Sequence, residues 1–382
     1  MICTMWIPRD IEPLLQQRAR TRPVVVVTGA RQTGKTSIVR RLFPNHTFVS
    51  LDLPSTAELA ERSPTEFLNR FPPPLVVDEV QYAPQLFRYL KLTVDEHRED
   101  NGQFILTGSQ KFALMRSVSD SLAGRAEILE LDGLSWSEIR SANPQATIED
   151  AILRGGFPEL HADPSIEPEA FFRSYVATYL ERDLRLLLQV SSLRDYERFL
   201  RACALRSAQL LNRTELARDV GIAGSTAGQW LSALEASGQV ALVEPWFANR
   251  GKSLVKTPKL YLRDVGLCAF LTGIRRRDDL NNSPLVGPLW ETLVASELRR
   301  SQMHRLGGSD MYFWRDRTKE ADFLFHHGGR FELVDAKWSE LPSDRDAAQL
   351  NRIADELPAD SVISRTLICR SPHSFTLPSG VR

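Results

Sequence analysis

Between Thr21 and Gln110 the chain alternates short, nearly continuous apolar runs with longer stretches of mixed character. The runs Val24 to Thr28, Phe48 to Leu51, Leu75 to Asp78 and Phe104 to Thr107 carry few polar side chains, as strands buried on both faces must. The intervening stretches Lys35 to Phe43, Ser55 to Phe71 and Pro84 to Arg98 read as helices. Strand and helix in this rhythm predict a parallel sheet covered by helices, with ligands at the carboxyl ends of the strands.

The pattern changes after residue 134. Trp136 to Val190 reads as helical, with Glu167 to Leu188 amphipathic and charged through Arg173, Glu181, Arg182, Asp183 and Arg185, which predicts a lid and connector. Gly155-Gly156-Phe157-Pro158 breaks it, as a hinge or as a plain helix stop. Asn212 to Gln239 reads helix, turn, helix: Thr214 to Val220, the turn Gly221 to Gly224, then Ser225 to Ser237. With Gln239 to Trp246 and Leu254 to Leu262 as wing strands around Asn249-Arg250-Gly251-Lys252, this part resembles a winged helix. Near the end, Phe323 to Phe325 and Phe331 to Val334 flank Gly328-Gly329, a strong two-residue hairpin signal. Four parts are expected, at residues 1–134, 135–192, 193–274 and 275–382.

The 382 residues hold 48 Lys plus Arg and 48 Asp plus Glu, so any charged function is local rather than spread over the surface. One local excess stands out: from Trp246 to Arg277, the residues Arg250, Lys252, Lys256, Lys259, Arg263, Arg275, Arg276 and Arg277 face only Asp264. That is a phosphate track for DNA, or an ordinary solvated loop. In a winged helix the second helix enters the major groove amino end first, which nominates Ser225, Thr226 and Gln229, although such folds also pack on their own nucleotide domain. No apolar run approaches the roughly 18 residues that span a bilayer, and Met1 to Pro13 lacks a signal-peptide core, so a cytoplasmic protein without a membrane partner is expected. Cys3, Cys203, Cys268 and Cys369 are widely separated and read as reduced thiols.

The most specific chemistry follows the first strand. Gly29-Ala30-Arg31-Gln32-Thr33-Gly34-Lys35-Thr36, continued by Ser37, has the GxxxxGK[ST] spacing between a strand and a helix. The glycines let the loop wrap with its amides inward, and the helix amino end adds free N–H groups, so together they cradle an anion. Lys35 is expected on the β- and γ-phosphates of ATP, and the Thr36 hydroxyl on Mg²⁺. Leu75-Val76-Val77-Asp78-Glu79 ends a second strand with two acids, Asp78 as the metal partner and Glu79 as the catalytic base.

These motifs, with FILTGSQ (Phe104 to Gln110), SLAGRAEILEL (Ser121 to Leu131), GGFPE (Gly155 to Glu159), KLYLRDVGL (Lys259 to Leu267) and FWRDRTKEADF (Phe313 to Phe323), resemble a prokaryotic family that joins an AAA-type ATPase domain to a C-terminal domain of unknown function. The resemblance spans about Ile7 to Glu340. It implies that the strand bearing Ser109 lies between those bearing Lys35 and Asp78, making Ser109 a sensor of the γ-phosphate. It also implies that Arg125 is an arginine finger or second sensor, acting in cis or on a neighbouring subunit; the latter makes the protein a homo-oligomer.

If Gly328 and Gly329 form the turn, Asp322 lies across from Asp335, with Lys337 two residues on along the same face and Glu320 opposite it. Like charges across a ladder destabilise it unless a cation or proton intervenes. This D…(D/E)xK spacing resembles the restriction-endonuclease-like core, in which two acids hold Mg²⁺ and the lysine activates water. The resemblance adds a helix acid, best matched by Glu291 in GPLWETLVASEL, with Glu297 second. The family commonly has Glu where Asp335 stands, a departure that shortens the reach toward a metal. The alternative is a salt-bridged hairpin in which Lys337 neutralises Glu320 and Asp335. The chain is thus expected to be α/β throughout: a P-loop domain, helical lid, winged helix and nuclease-like domain, in which an ATPase cycle either directs action on DNA or drives a signalling or scaffolding switch with an inactive C-terminal domain.

Overall fold

The computed structural model describes residues 6–109, 118, 120–180, 192–247, 257–304 and 310–382. Cys3, the charged run Glu181, Arg182, Asp183 and Arg185, and the expected wing tip Asn249 to Lys252 with Lys256 lie outside these residues. The chain divides into two compact units, one of Met1–Leu134, Phe157–Asp163 and Ala236–Gly238, the other of Ser135–Gly156, Pro164–Glu235 and Gln239–Arg382.

The first unit is built on five parallel strands, β1 (Val24–Thr28), β2 (Thr47–Ser50), β3 (Leu75–Asp78), β4 (Phe104–Gly108) and β5 (Ala126–Glu130), in the order β2-β3-β4-β1-β5. Successive side chains of a strand point to opposite faces, so each apolar run feeds two cores. Val24 and Val26 pack with Leu75, Val77, Phe104 and Leu106 under Leu86, Leu90 and Val94 of the helix Leu86–Glu96. Val25 and Val27 pack with Val76 and Ile105 under Ile38 and Val39 of the helix Lys35–Leu42, Leu15 of the helix Glu12–Thr21 and Ile11 just before it. Each such side chain contributes about 1.5–3 kcal/mol on burial, which is why the runs tolerate almost no polar residue. The expected helix Ser55 to Phe71 is two helices, Pro54–Arg62 and Pro64–Arg70. Pro64 has no N–H to continue the first, and it holds Ser63 at φ −133°, outside the helical region.

In the second unit the described part of the expected helical stretch is a series of short helices, among them Trp136–Ala142, Ile148–Arg154 and Pro168–Tyr175. The helix-turn-helix is Arg213–Val220 and Gly224–Ala236, with Gly221 at φ 81° making the turn. β6 (Gln209–Leu210), β7 (Val240–Pro245) and β8 (Lys259–Leu262) belong to one seven-stranded sheet with β9 (Met311–Arg315), β10 (Glu320–His327), β11 (Arg330–Ala336) and β12 (Val362–Ile368), in the order β12-β11-β10-β9-β7-β8-β6. The join is a parallel pairing of Glu244 with Tyr312 and Pro245 with Phe313. The expected hairpin register is present: Phe323 pairs Val334 and Leu324 pairs Leu333, and Gly328 and Gly329 turn the chain at φ 54° and 80°. No helix among the described residues is long and apolar enough to cross a membrane.

Two of the sequence motifs form a single joint in this unit. Asp264, half-buried after β8, accepts hydrogen bonds from the N–H groups of Gly156 at 2.7 Å and Leu267 at 2.8 Å, the second capping the helix Val265–Leu271. Gly155 sits at φ +65°, and a Cβ on Gly266 would stand 2.7 Å from the Arg154 carbonyl carbon. Gly155 of GGFPE is therefore required by its positive φ and the adjacent Asp264 carboxylate, and Gly266 of RDVGL by close backbone approach. Gly266→Ala is expected to destabilise the chain by about 1–3 kcal/mol through overpacking. Urea unfolding checks this, and an unchanged midpoint contradicts it.

Candidate functional site

The loop after β1 turns sharply because it has a wall behind it. Leu131 N–H donates to the Thr28 carbonyl at 2.7 Å, and a Cβ on Gly29, at φ +146°, would overlap the Leu131 carbonyl oxygen. Ala30 and Arg31 carry the loop outward, Gln32 takes φ 62°, and Gly34, at φ +93°, starts the helix Lys35–Leu42 with no side-chain cap. An uncapped helix start next to glycines leaves amides directed at whatever lies in the loop. The Lys35 ammonium is folded onto that loop, donating to the carbonyls of Gly29 at 3.1 Å and Ala30 at 2.8 Å. Ser37 is exposed on the helix.

Arg9 fixes the loop from behind. Its buried guanidinium donates to the carbonyls of Thr33 at 2.9 Å, Asp132 at 2.6 Å and Gly133 at 3.0 Å, tying the phosphate loop to the end of β5. The fixed fork of an arginine suits several carbonyls at once.

At the tip of β3, Asp78 is only 3% exposed and takes its hydrogen bonds from two neighbouring strands and the loop helix. Its Oδ1 accepts from Thr36 Oγ1 at 2.9 Å and Thr107 Oγ1 at 2.6 Å, and its Oδ2 accepts from Ser50 Oγ at 3.4 Å. Glu79 follows at φ 56°, a left-handed conformation unusual for a side chain with a Cβ. Its N–H donates to Thr107 Oγ1 at 3.2 Å, and its carboxylate accepts from Ser109 Oγ at 3.3 Å and from Gln81 Nε2. Thr107 thus spends its one proton on Asp78 and accepts from Glu79, orienting both acids. β4 lies between β1 and β3, and Lys35, Thr36, Asp78, Glu79 and Ser109 are gathered at the carboxyl ends of their strands. The oxygens of Thr36 and Asp78, beside the open loop, are the hard donors that magnesium takes, so these residues fit ATP with Mg²⁺.

Arg125 does not join them, and the expected role in cis is corrected by strand direction. Arg125 precedes β5, whose first residue Ala126 pairs with Val24 at the start of β1, whereas the phosphate loop follows the end of β1. All five strands run the same way, so a strand length of roughly 16 Å separates Arg125 from the loop. Its guanidinium is bidentate to Asp95, at 2.7 and 2.9 Å, and also donates to the Ala123 carbonyl at 3.0 Å. A role on a neighbouring copy would require that pair to open.

The C-terminal acids come together around a residue the sequence reading had placed in a basic track. Lys259 Nζ of β8 lies 3.0 Å from Glu291 Oε1, 2.8 Å from Glu320 Oε1 and 3.1 Å from Asp322 Oδ1, with 3% of its side chain exposed. Glu291, on the helix Val286–His304, also accepts from the Tyr261 hydroxyl at 2.6 Å. Asp322 and Asp335 face each other across the β10–β11 ladder, and both are buried. Burial and the neighbouring Asp322 charge push Asp335 well above the usual carboxylate range. Burial works against the charge of Asp322 too, but the hydrogen bond from Asp335, the Lys259 ammonium and the Ala336 N–H at 3.0 Å hold it below that range. Lys337 is 2.9 Å from Asp335 and pairs with it, while Glu320 is held by Lys259, with Arg315 at 3.6 Å. Glu297, the second choice for the helix acid, is elsewhere: it accepts from the Trp136 N–H at 3.0 Å and pairs with Arg300. Among the described residues, no group of three or more His, Cys, Asp or Glu is arranged to hold a metal ion.

Sequence reasoning missed Arg9, Thr107 and Lys259. Thr107 lay within FILTGSQ and had a signal, since a polar residue inside a buried apolar strand needs a partner. Thr107→Val keeps the shape but leaves Asp78 short of a donor. Turnover of ATP should fall about 10- to 100-fold, with ATP affinity retained and Thr107→Ser restoring turnover. Steady-state kinetics with a binding titration checks this; an equal loss of affinity, or no rescue by serine, contradicts it.

A family described as an AAA domain matches residues 21–140, and domains of unknown function, DUF8612 and DUF4143, match residues 145–278 and 286–381. Uncharacterized proteins of Mycobacterium tuberculosis (Rv2008c) and Mycobacterium bovis (Mb2031c) are each 33% identical over 346 residues, covering 89% of this chain and 76% of theirs. Among solved structures, a Walker-type ATPase of Pyrococcus abyssi is similar at 15% identity and a TM-score of 0.47, covering 70% of this chain and 96% of its own. The RuvB Holliday junction branch migration motor of Thermotoga maritima is similar at 18% identity and a TM-score of 0.32, covering 61% and 88%. With its phosphate loop in an AAA-type sheet and its relatives aligned along most of their length, the chain belongs to the family that joins an AAA domain to a C-terminal DUF4143 domain.

Proposed function

We propose that the chain binds ATP with Mg²⁺ at residues 29–37, hydrolyses it, and uses the cycle to control its second unit. The observation that carries this reading is the line of contacts from Thr36 through Asp78 to Thr107, which joins the phosphate loop to the two acids of β3. Lys35 neutralises the β- and γ-phosphates, and amides of the loop and helix start receive the remaining charge. Thr36 and Asp78 hold Mg²⁺, which supplies neutralisation of charge on the phosphates. Glu79 orients the attacking water and takes its proton as the new bond to the γ-phosphorus forms and ADP leaves with the bridging oxygen. Ser109 steadies the Glu79 carboxylate and reports on the γ-phosphate.

For the second unit, the reading as a DNA-directed module is supported by Ser225 and Gln229, exposed at the amino end of the helix Gly224–Ala236, with Thr226 half-buried beside them. The charge count supports it less than expected. Lys259 is buried among acids and the partly buried Arg275 lies 3.7 Å from Glu169, whereas Arg276 and Arg277 stay exposed in surface pairs, 3.5 Å from Asp279 and 2.7 Å from Asp150. The second reading, a switch whose C-terminal domain binds a partner without cutting DNA, is favoured by the position of Lys259.

Phosphate release from ATP tests the proposal. Lys35→Ala should lower turnover by on the order of 10²- to 10³-fold with loss of ATP affinity, and Glu79→Gln should keep affinity while turnover falls at least about 100-fold. Equal turnover in both variants and wild type would falsify the assignment. The same assay with duplex DNA separates the two readings: stimulation supports the DNA-directed module, and a rate indifferent to DNA supports the partner-binding switch.

A further inference from the structure

The C-terminal acids invite a divalent cation by composition, and the geometry gives them a different one. An ammonium has three N–H donors and no acceptor. Lys259 presents them to three carboxylates from two elements, Glu291 of the helix Val286–His304 and Glu320 and Asp322 of β10, all within 3.1 Å. Several of the oxygen atoms a metal would need are already engaged. Glu291 Oε1 takes both Lys259 and the Tyr261 hydroxyl, Asp322 Oδ2 takes the Ala336 N–H, and Asp335 is shared between Asp322 and Lys337. Magnesium or manganese here would have to gather several oxygens at about 2.0–2.2 Å around a point that a buried positive charge already occupies. The residues therefore do not fit the metal that the nuclease resemblance implies.

We propose that Lys259 is the resident cation of the C-terminal acidic cluster, standing in place of a divalent metal and clamping β8 to β10 and to the helix Val286–His304. The cluster is then an ionic clamp in the middle of the seven-stranded sheet, and metal-dependent phosphodiester cleavage is not its chemistry. Lys259 is suited to the task by position. Lys259 and Tyr261 lie on the same face of β8, two residues apart, so one strand supplies both the ammonium and the hydroxyl that hold Glu291. The strand then leads into Asp264, whose carboxylate fixes Gly156 and the helix Val265–Leu271, so the clamp anchors a segment that organises its own unit at both ends. None of this depends on whether the phosphate loop hydrolyses ATP.

Breaking a buried ion pair from one side leaves uncompensated charge, whereas removing both sides relieves it. The test uses the full chain without nucleotide. Mn²⁺ uptake is followed by electron paramagnetic resonance in wild type and Asp322→Asn, and melting temperature is followed in wild type, Lys259→Met and Lys259→Met/Asp322→Asn. The clamp predicts no Mn²⁺ uptake that Asp322→Asn abolishes, a lower melting temperature for Lys259→Met, and partial recovery in the double variant. Mn²⁺ bound by wild type and lost in Asp322→Asn, or Lys259→Met melting as wild type does, overturns it. If Lys259→Met does not fold, the Mn²⁺ comparison between wild type and Asp322→Asn decides alone.

Discussion

A carboxylate buried at the tip of a strand must be supplied with donors, and the nucleotide unit is arranged around meeting that demand for Asp78. An unpaired buried charge costs several kcal/mol, about as much as a whole domain's net stability allows. The demand is met by hydroxyls from β2, β4 and the helix after the phosphate loop: Ser50, Thr107 and Thr36. The strand order follows from the same need, since β4 must lie beside β3 for Thr107 to reach, and β1 beside β4 for the loop to present Thr36. Sheet order, loop position and site are thus one constraint seen at three scales.

Much of this unit was legible because its determinants are local. Glycines at fixed offsets, a lysine at a helix start and two acids at a strand end each announce themselves within a few residues. Arg9 gave no such signal: it lies well before β1 and acts on carbonyls of the loop and of the end of β5, a meeting that only the folded sheet creates. Arg125 shows the opposite failure. The resemblance allowed a role at this chain's own phosphates, yet the residue stands where its strand begins, and in a parallel sheet that end faces away from the loop.

In the second unit the local pattern gave the hairpin and its register, because Gly328-Gly329 and the alternation of β10 and β11 leave little choice. It did not give the pairing of β7 with β9, which joins segments far apart in the chain through two residue pairs. Lys259 was misread for the same reason. Counted along the sequence it adds to a basic run, but the fold turns it inward, where three acids from later segments converge on it. Net charge over a window says where charges are, and only packing says which of them remain free to meet a partner.

The central claim is that the Asp78 carboxylate, held by Thr36 and Thr107, organises an ATP-hydrolysing site. Asp78→Asn alters that residue with almost no change of volume, so phosphate release from Mg²⁺–ATP by the purified full chain, wild type against Asp78→Asn, tests the claim most directly. The account predicts measurable turnover in wild type and a fall of roughly 100-fold or more in an Asp78→Asn protein that is still folded by circular dichroism. Turnover of equal rate in the two proteins would contradict it.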